Sequence, residues 1–142
     1  MIRVEQINES ILHDAIEFLT SVPSIDKIDE KILNNACIAY DDDKIVGCIS
    51  LEEFSNKGLI RYFVFKKVLS IEYLEQLLKA LEEHAKEKGI EMLVCIAECS
   101  QIEELFRSLD FQSIPQSKIF INEENVLNTN FKSALFLNKV LV

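Results

Sequence analysis

A strand, a helix and a second strand follow one another between residues 59 and 96, and no glycine stands at the first turn. The apolar run Leu59-Ile60-Arg61-Tyr62-Phe63-Val64-Phe65 passes through Lys66-Lys67-Val68-Leu69 into a helix expected to start at Ser70 and stop at Gly89. Met92-Leu93-Val94-Cys95-Ile96 then reads as the next strand, which completes a βαβ unit. Such units commonly hold a phosphorylated cofactor at the start of the helix, where unpaired N–H groups and the positive end of the dipole attract anions. Glycine normally clears the space. Here the three glycines are Gly47, Gly58 and Gly89, and none lies between Phe63 and Leu78. The sequence carries the scaffold of a cofactor site without its phosphate grip.

A length of 142 residues fits one domain, residues 1–142, able to bury about 70% of its unfolded surface. No apolar run approaches the roughly 18 residues of a membrane span. Met1-Ile2-Arg3-Val4-Glu5 reads as a strand and not as a signal region, so a cytoplasmic protein without a membrane partner is expected. A net charge of −9 opposes nucleic acid, whose binding needs clustered Lys and Arg, and gives a polyanionic cofactor no long-range help. It serves solubility, or else favours a cationic or amine partner.

Cys37, Cys48, Cys95 and Cys99 form no C-x-x-C pair and, with two histidines, fit neither a zinc site nor a disulfide framework. The first three sit in apolar strand patterns as buried small hydrophobes. Cys99 follows a strand end, where a nucleophile could act. His13 and His84, among charged neighbours, read as surface residues.

Along the chain, Ile2 and Val4 alternate as a first strand. Asn8-Glu9-Ser10 offers caps for a helix carrying Ile11, Leu12, Ala15, Ile16 and Leu19, which Pro23 breaks. Ile25, Ile28, Ile32 and Leu33 suggest a short second helix ending near Asn34-Asn35. Residues 37–40 and 44–52 flank Asp41-Asp42-Asp43 as a hairpin, and a second hairpin turns at Ser55-Asn56-Lys57-Gly58. Leu74, Leu77, Leu78, Leu81 and Ala85 mark one face of the long helix, with Gly89 as its left-handed cap. Ser100-Gln101-Ile102-Glu103 reads as a capping box for a helix bearing Leu105, Phe106 and Leu109. Residues 111–114 would be a strand ended by Pro115. Residues 118–130 form a polar excursion, and residues 134–140 read as a closing strand.

This order, β-α-α-β-β-β-α-β-α-β-β, resembles the GNAT superfamily of acyl-CoA-dependent N-acyltransferases. Three stretches carry the resemblance: Ile45-Val46-Gly47-Cys48-Ile49-Ser50-Leu51-Glu52, the helix end Ala85-Lys86-Glu87-Lys88-Gly89-Ile90, and residues 102–111, which are similar to the family's phenylalanine-tyrosine-x-x-leucine-glycine-phenylalanine signature. The Gly-Cys-x-x-Leu-Glu strand and the ending of the chain look like the branch of N-acetylglutamate synthase-like and arsenic-resistance acetyltransferases. The resemblance implies an α/β fold: a mixed, mostly antiparallel sheet of about six to seven strands, flanked by helices on both faces and splayed between residues 59–65 and 92–96. It implies acetyl-CoA or another acyl-CoA as cofactor, a small amine or amino acid as acceptor, and direct attack of the amine on the thioester. By position, Phe63, Val64, Phe65, Ser70, Ile71, Glu72, Tyr73 and Phe106 would face the cofactor.

The departures are as specific as the match. The family's pyrophosphate loop reads Q/R-x-x-G-x-G/A, and an ungapped count back from Gly89 lays its defining slots on Leu69, Glu72 and Leu74. A one-residue slip of the strand, which would put Arg61 where related proteins often carry arginine, restores no glycine either. A side chain fills the space that glycine leaves open. A carboxylate about 4 Å from a phosphate costs on the order of 4 kcal/mol at an effective dielectric of 20, roughly a thousandfold in affinity. Glu72 and Glu75 also stabilise the helix simply by standing in its first turn. Phe106 occupies the slot of the tyrosine that protonates the departing thiolate in many members, and it carries no proton. Asp110 replaces the usual glycine before Phe111 as a turn residue. Glu52, Glu53 and Glu98, at strand ends, are candidate general bases, although carboxylates at such places are commonly only solvated. Three readings follow: an N-acyltransferase; a catalytically inactive member that binds a small molecule or a protein partner in the same cleft; and, compatible with either, a homodimer assembled through an exposed sheet edge at residues 134–142.

Overall fold

The structure, a computed structural model, describes residues 1–23, 25, 27–66, 68–97, 100–113, 120–121, 124–125 and 135–141. Among them run β1 (Ile2–Gln6), α1 (Glu9–Thr20), α2 (Glu30–Leu33), β2 (Cys37–Asp41), β3 (Lys44–Phe54), β4 (Lys57–Phe65), α3 (Ile71–Glu87), β5 (Met92–Ala97), α4 (Ser100–Ser108), β6 (Gln112–Ser113), β7 (Phe120–Ile121), β8 (Glu124–Asn125) and β9 (Leu135–Val140). Seven strands form one mixed, mostly antiparallel sheet in the order β1-β2-β3-β4-β5-β9-β6, and β7 pairs with β8 alone. The expected α/β class and strand number are both met. Internal contacts divide the chain into two compact units, Met1–Glu52 with Ile60–Lys88, and Glu53–Leu59 with Gly89–Val142.

In the first unit, β1 and β3 pair antiparallel on either side of β2. The Asn8 side chain accepts the Ser10 N–H at 2.9 Å and starts α1. Its apolar stripe puts Ala15 and Leu19 into one cluster with Leu33, Ile38, Tyr40 and Cys48. Asp29 caps α2 by accepting the Lys31 N–H at 2.9 Å, so that helix starts at Glu30 and Ile25 and Ile28 precede it. The apolar spacing had promised a longer helix; the cap decides where it begins. α3 packs on β1 and β2 through Leu74, Leu77, Leu78, Leu81 and Ala85. Ile38 faces α1 while its neighbour Cys37 feels the charge of Glu83 on α3, so within this unit the sheet carries helices on both faces.

His84 is a correction. It is buried, not superficial, because its helical phase follows Leu77 and Leu81 whatever the charge of its sequence neighbours. Asn35, also buried, gives its amide N–H to the Leu51 carbonyl at 3.2 Å, which leaves its oxygen to accept from His84 Nε2 and Lys88 Nζ, both at 2.9 Å. His84 Nδ1 then meets Gln6 Nε2 at 2.5 Å.

In the second unit, β4 and β5 run parallel, with Lys57 opposite Met92 and Leu59 opposite Val94. The second hairpin turns at Ser55 and Asn56, with Ser55 at φ 56, and Gly58 lies inside β4 opposite Leu93 rather than in the turn. Leu59, Val94 and Phe136 make the core with Phe54, Met92 and Ile96. Two residues past α4, Asp110 at φ 74 lets the Phe111 N–H reach the Phe106 carbonyl at 3.0 Å, the turn role expected of it. Ser100 is the first helical residue of α4 and not its cap; position 99 lies outside the described residues. β9 is flanked by β5 and β6, so of the sheet edge expected at residues 134–142 the described strand Leu135–Val140 is not an edge. No described helix is long and apolar enough to cross a membrane.

Candidate functional site

Alternation along β3 turns Cys48, Ser50 and Glu52 toward α1 and α2, where the Ser50 hydroxyl donates to the Ile32 carbonyl. Glu52 therefore ends the strand beside α2. Arg61 on β4 meets it, Nη1 to Oε1 at 2.6 Å, with the two side chains 41% and 31% exposed. Tyr62 follows at φ 53, a left-handed conformation that a bulky residue adopts only under constraint. Its hydroxyl accepts the Asp29 N–H at 2.8 Å and so ties β4 to the segment before α2. The Arg61 guanidinium carbon lies 5.6 Å from the Tyr62 ring centre.

These elements enclose an open groove of ≈ 810 Å³, wholly within the first unit. Ile16, Ile28 and Ile32 give it an apolar wall. Lys27, Lys31 and Arg61 line it together with Asp29, Glu30 and Glu52, so its formal charges balance. Glu52 was read from the sequence as a candidate base; Arg61 was noted there only for a shifted slot where related proteins often carry arginine, and Tyr62 had no role. The hairpin held the signal, because a two-residue turn at Ser55 and Asn56 sets Arg61 diagonal to Glu52 on one face. Glu53 is exposed and belongs to the second unit, and Glu98 and Cys99 lie outside the described residues.

The residues assigned to the cofactor by position fall into different environments. Phe63 is half-buried and Phe65 38% exposed, their ring centres 5.1 Å apart, while Val64 packs against the α1 cluster. Ser70 is the N-cap of α3 and makes no side-chain capping bond; Ile71 and Glu72 are exposed and Tyr73 is half-buried. Phe106 is 1% exposed and meets Phe111 edge-on at 5.0 Å in the second unit. Leu69 and Leu74 are buried. Leu69 Cδ1 lies 2.6 Å from the point where a Cβ on Gly47 would stand, so this leucine fills the space that the glycine leaves. Burial, with Glu83 adding to it, pushes the Cys37 thiol up to about 12, and burial does the same for Cys48, so neither supplies a thiolate near neutral pH.

The Acetyltransferase (GNAT) family model matches residues 6–111. No curated protein matches the chain by sequence. Among solved structures, N-acetylglutamate synthase from Neisseria gonorrhoeae, complexed with coenzyme A and N-acetyl-glutamate, aligns at TM-score 0.79 and 16% identity over 100% of this chain and 35% of its own. The chain thus spans about a third of that synthase's length. A probable acetyltransferase from Staphylococcus epidermidis aligns at TM-score 0.70 and 15% identity over 100% of both chains. Rv2747 from Mycobacterium tuberculosis, in complex with CoA, aligns at TM-score 0.71 and 13% identity over 99% of each. At such identities these likenesses speak for the fold alone, but the family match runs from β1 to the end of α4, and by it the chain belongs to the GNAT acetyltransferase family.

Proposed function

We propose that this protein receives a small amine or amino acid in the groove of the first unit, that its 142 residues work as one GNAT domain, and that its hold on acyl-CoA is weak, so that conventional acetyl-CoA turnover is not its main activity. The observation that carries this reading is the burial of Leu69 and Leu74, at 5% and 4% exposure. Two of the three slots where the family grips pyrophosphate are core positions here. Leu69 cannot turn aside for a phosphate without emptying the space over Gly47, and the third slot, exposed Glu72, sets a negative charge in the first turn of α3. These residues do not fit a diphosphate. Calorimetric titration with acetyl-CoA is expected to give a Kd weaker than about 100 μM, as when phosphate contacts worth several kcal/mol are missing. Low-micromolar binding overturns the reading.

Tyr62 favours a second reading, retained N-acyl transfer. A tyrosine held at φ 53 within a strand stores backbone strain of roughly 1 to 3 kcal/mol, and such strain gathers at functional sites. In that reading Glu52, already in the groove, takes the proton of the incoming amine, with Glu53 and Glu98 as the other candidates. Thiol release from acetyl-CoA over a panel of amines, slowed about a hundredfold by Glu52→Gln, supports catalysis; no release supports binding alone.

A further inference from the structure

Arg61 and Glu52 form an ion pair that is both partly exposed and incomplete. Nη1 meets a single carboxylate oxygen, and among the described residues the guanidinium makes no other hydrogen bond, although it carries five N–H donors. A pair this open to water holds itself together weakly and exchanges partners readily. Its free edge is the flat fork that matches a carboxylate bidentately, and among the described residues no bond to the second oxygen of Glu52 keeps it from an ammonium group.

The surroundings narrow the ligand. Three cations and three anions line the groove, so its formal charge is zero; a ligand with one net charge unbalances it, and a neutral ligand with two opposite charges does not. The chain's −9 charge repels a free anion at long range, whereas a zwitterion carries no net charge for it to act on. Ile16 and Ile28 offer an apolar surface beside the pair. Tyr62, tied to the Asp29 N–H, fixes the segment that carries Lys27 and Ile28 relative to Arg61.

We propose that the groove selects zwitterionic α-amino acids with an aliphatic side chain: the ligand's carboxylate takes Arg61, its ammonium takes Glu52, and one internal ion pair becomes two pairs to the ligand. The inference rests on the reading of this groove as the amine-side pocket and adds that the carboxylate is required.

The test titrates the full chain by NMR with leucine, with isoamylamine, which lacks the carboxylate, and with isocaproate, which lacks the amine. Leucine is expected to bind at least about tenfold tighter than either. Arg61→Gln should erase the preference for leucine over isoamylamine, and Glu52→Gln the preference for leucine over isocaproate, both variants keeping the wild-type circular dichroism. Isoamylamine binding as tightly as leucine overturns the proposal yet leaves an amine pocket standing. A preference that survives Arg61→Gln in the folded protein overturns it too, as does the failure of all three probes and of the remaining common amino acids to shift groove resonances. A tight acetyl-CoA complex, by contrast, overturns the weak-donor reading and leaves this one untouched.

Discussion

Two stretches of the first unit, barely ten residues apart in sequence, have gone opposite ways. Around Glu52, Arg61 and Tyr62 the chain keeps polar groups half-exposed beside an open groove, with a strained backbone and an incomplete ion pair. At the start of α3 it buries Leu69 over Gly47 and Leu74 in the helix–sheet core, leaving Val68 and Ile71 at the surface. The first arrangement leaves a groove open at some cost in stability. The second is packed. On the proposed reading, a family's fold need not be kept or lost as a whole: one side of its chemistry stays available while the other is filled with leucine.

The most damaging test of this contrast places arginine at Leu69, which the count back from Gly89 lays on the family's first phosphate-binding slot. Leu69→Arg should cost more than about 3 kcal/mol, since it buries an unpaired charge against Gly47. Urea denaturation measures it, and a loss under 1 kcal/mol would show that the side chain has an open path to solvent and that the slot is still a site. Leu74→Ala comes next, at about 2 to 5 kcal/mol, the same range expected of Leu78→Ala one turn further along. If Leu74→Ala is nearly neutral while Leu78→Ala is not, the helix start is not core and the comparison fails.

Much of this was legible because it depends on local pattern. The leucines of α3, the Gly89 cap at φ 79 and the Asp42 turn at φ 54 all follow from spacing and from which residues tolerate left-handed backbone. Gly58 misled, since a glycine after asparagine and lysine looks like a turn, whereas Ser55 took the left-handed position and Gly58 joined the strand. His84 misled through its charged neighbours; its phase, three residues past Leu81, was the better guide. The groove was hardest, because it joins α1, α2, β3 and β4, and the link between Tyr62 and Asp29 spans 33 residues. The count back from Gly89 reaches Leu69, Glu72 and Leu74, none of them glycine, but only the structure shows that Leu69 and Leu74 belong to the core.

The sheet core of the first unit should also announce itself in alkali. Cys37 and Cys48 titrate near 9 when unfolded and are pushed up to about 12 by burial in the folded chain. A folded pKa raised above the unfolded one gives stability that is whole below pH 9 and is lost as pH climbs toward 12. By pH 10 each thiol should have withdrawn on the order of 1 kcal/mol. Urea midpoints measured from pH 8 to 11 should fall, and Cys48→Ala should flatten the fall; an unchanged slope would mean that these strands admit water.

The smallest effect falls on the one slot that is not core. Glu72 is exposed in the first turn of α3, so in water its repulsion of a phosphate about 4 Å away amounts to about 1 kcal/mol. Glu72→Gln should then tighten acetyl-CoA about fivefold, leaving it weak because Leu69 and Leu74 still close the space. The fold should be nearly indifferent, since the lost dipole interaction is worth only about 0.3 to 1 kcal/mol. A gain of a hundredfold would mean that charge alone had been keeping the cofactor out and that the buried leucines are no obstacle. No gain at all would place the phosphates away from this turn, and the contrast between an open groove and a filled loop would then have to be drawn elsewhere in the chain.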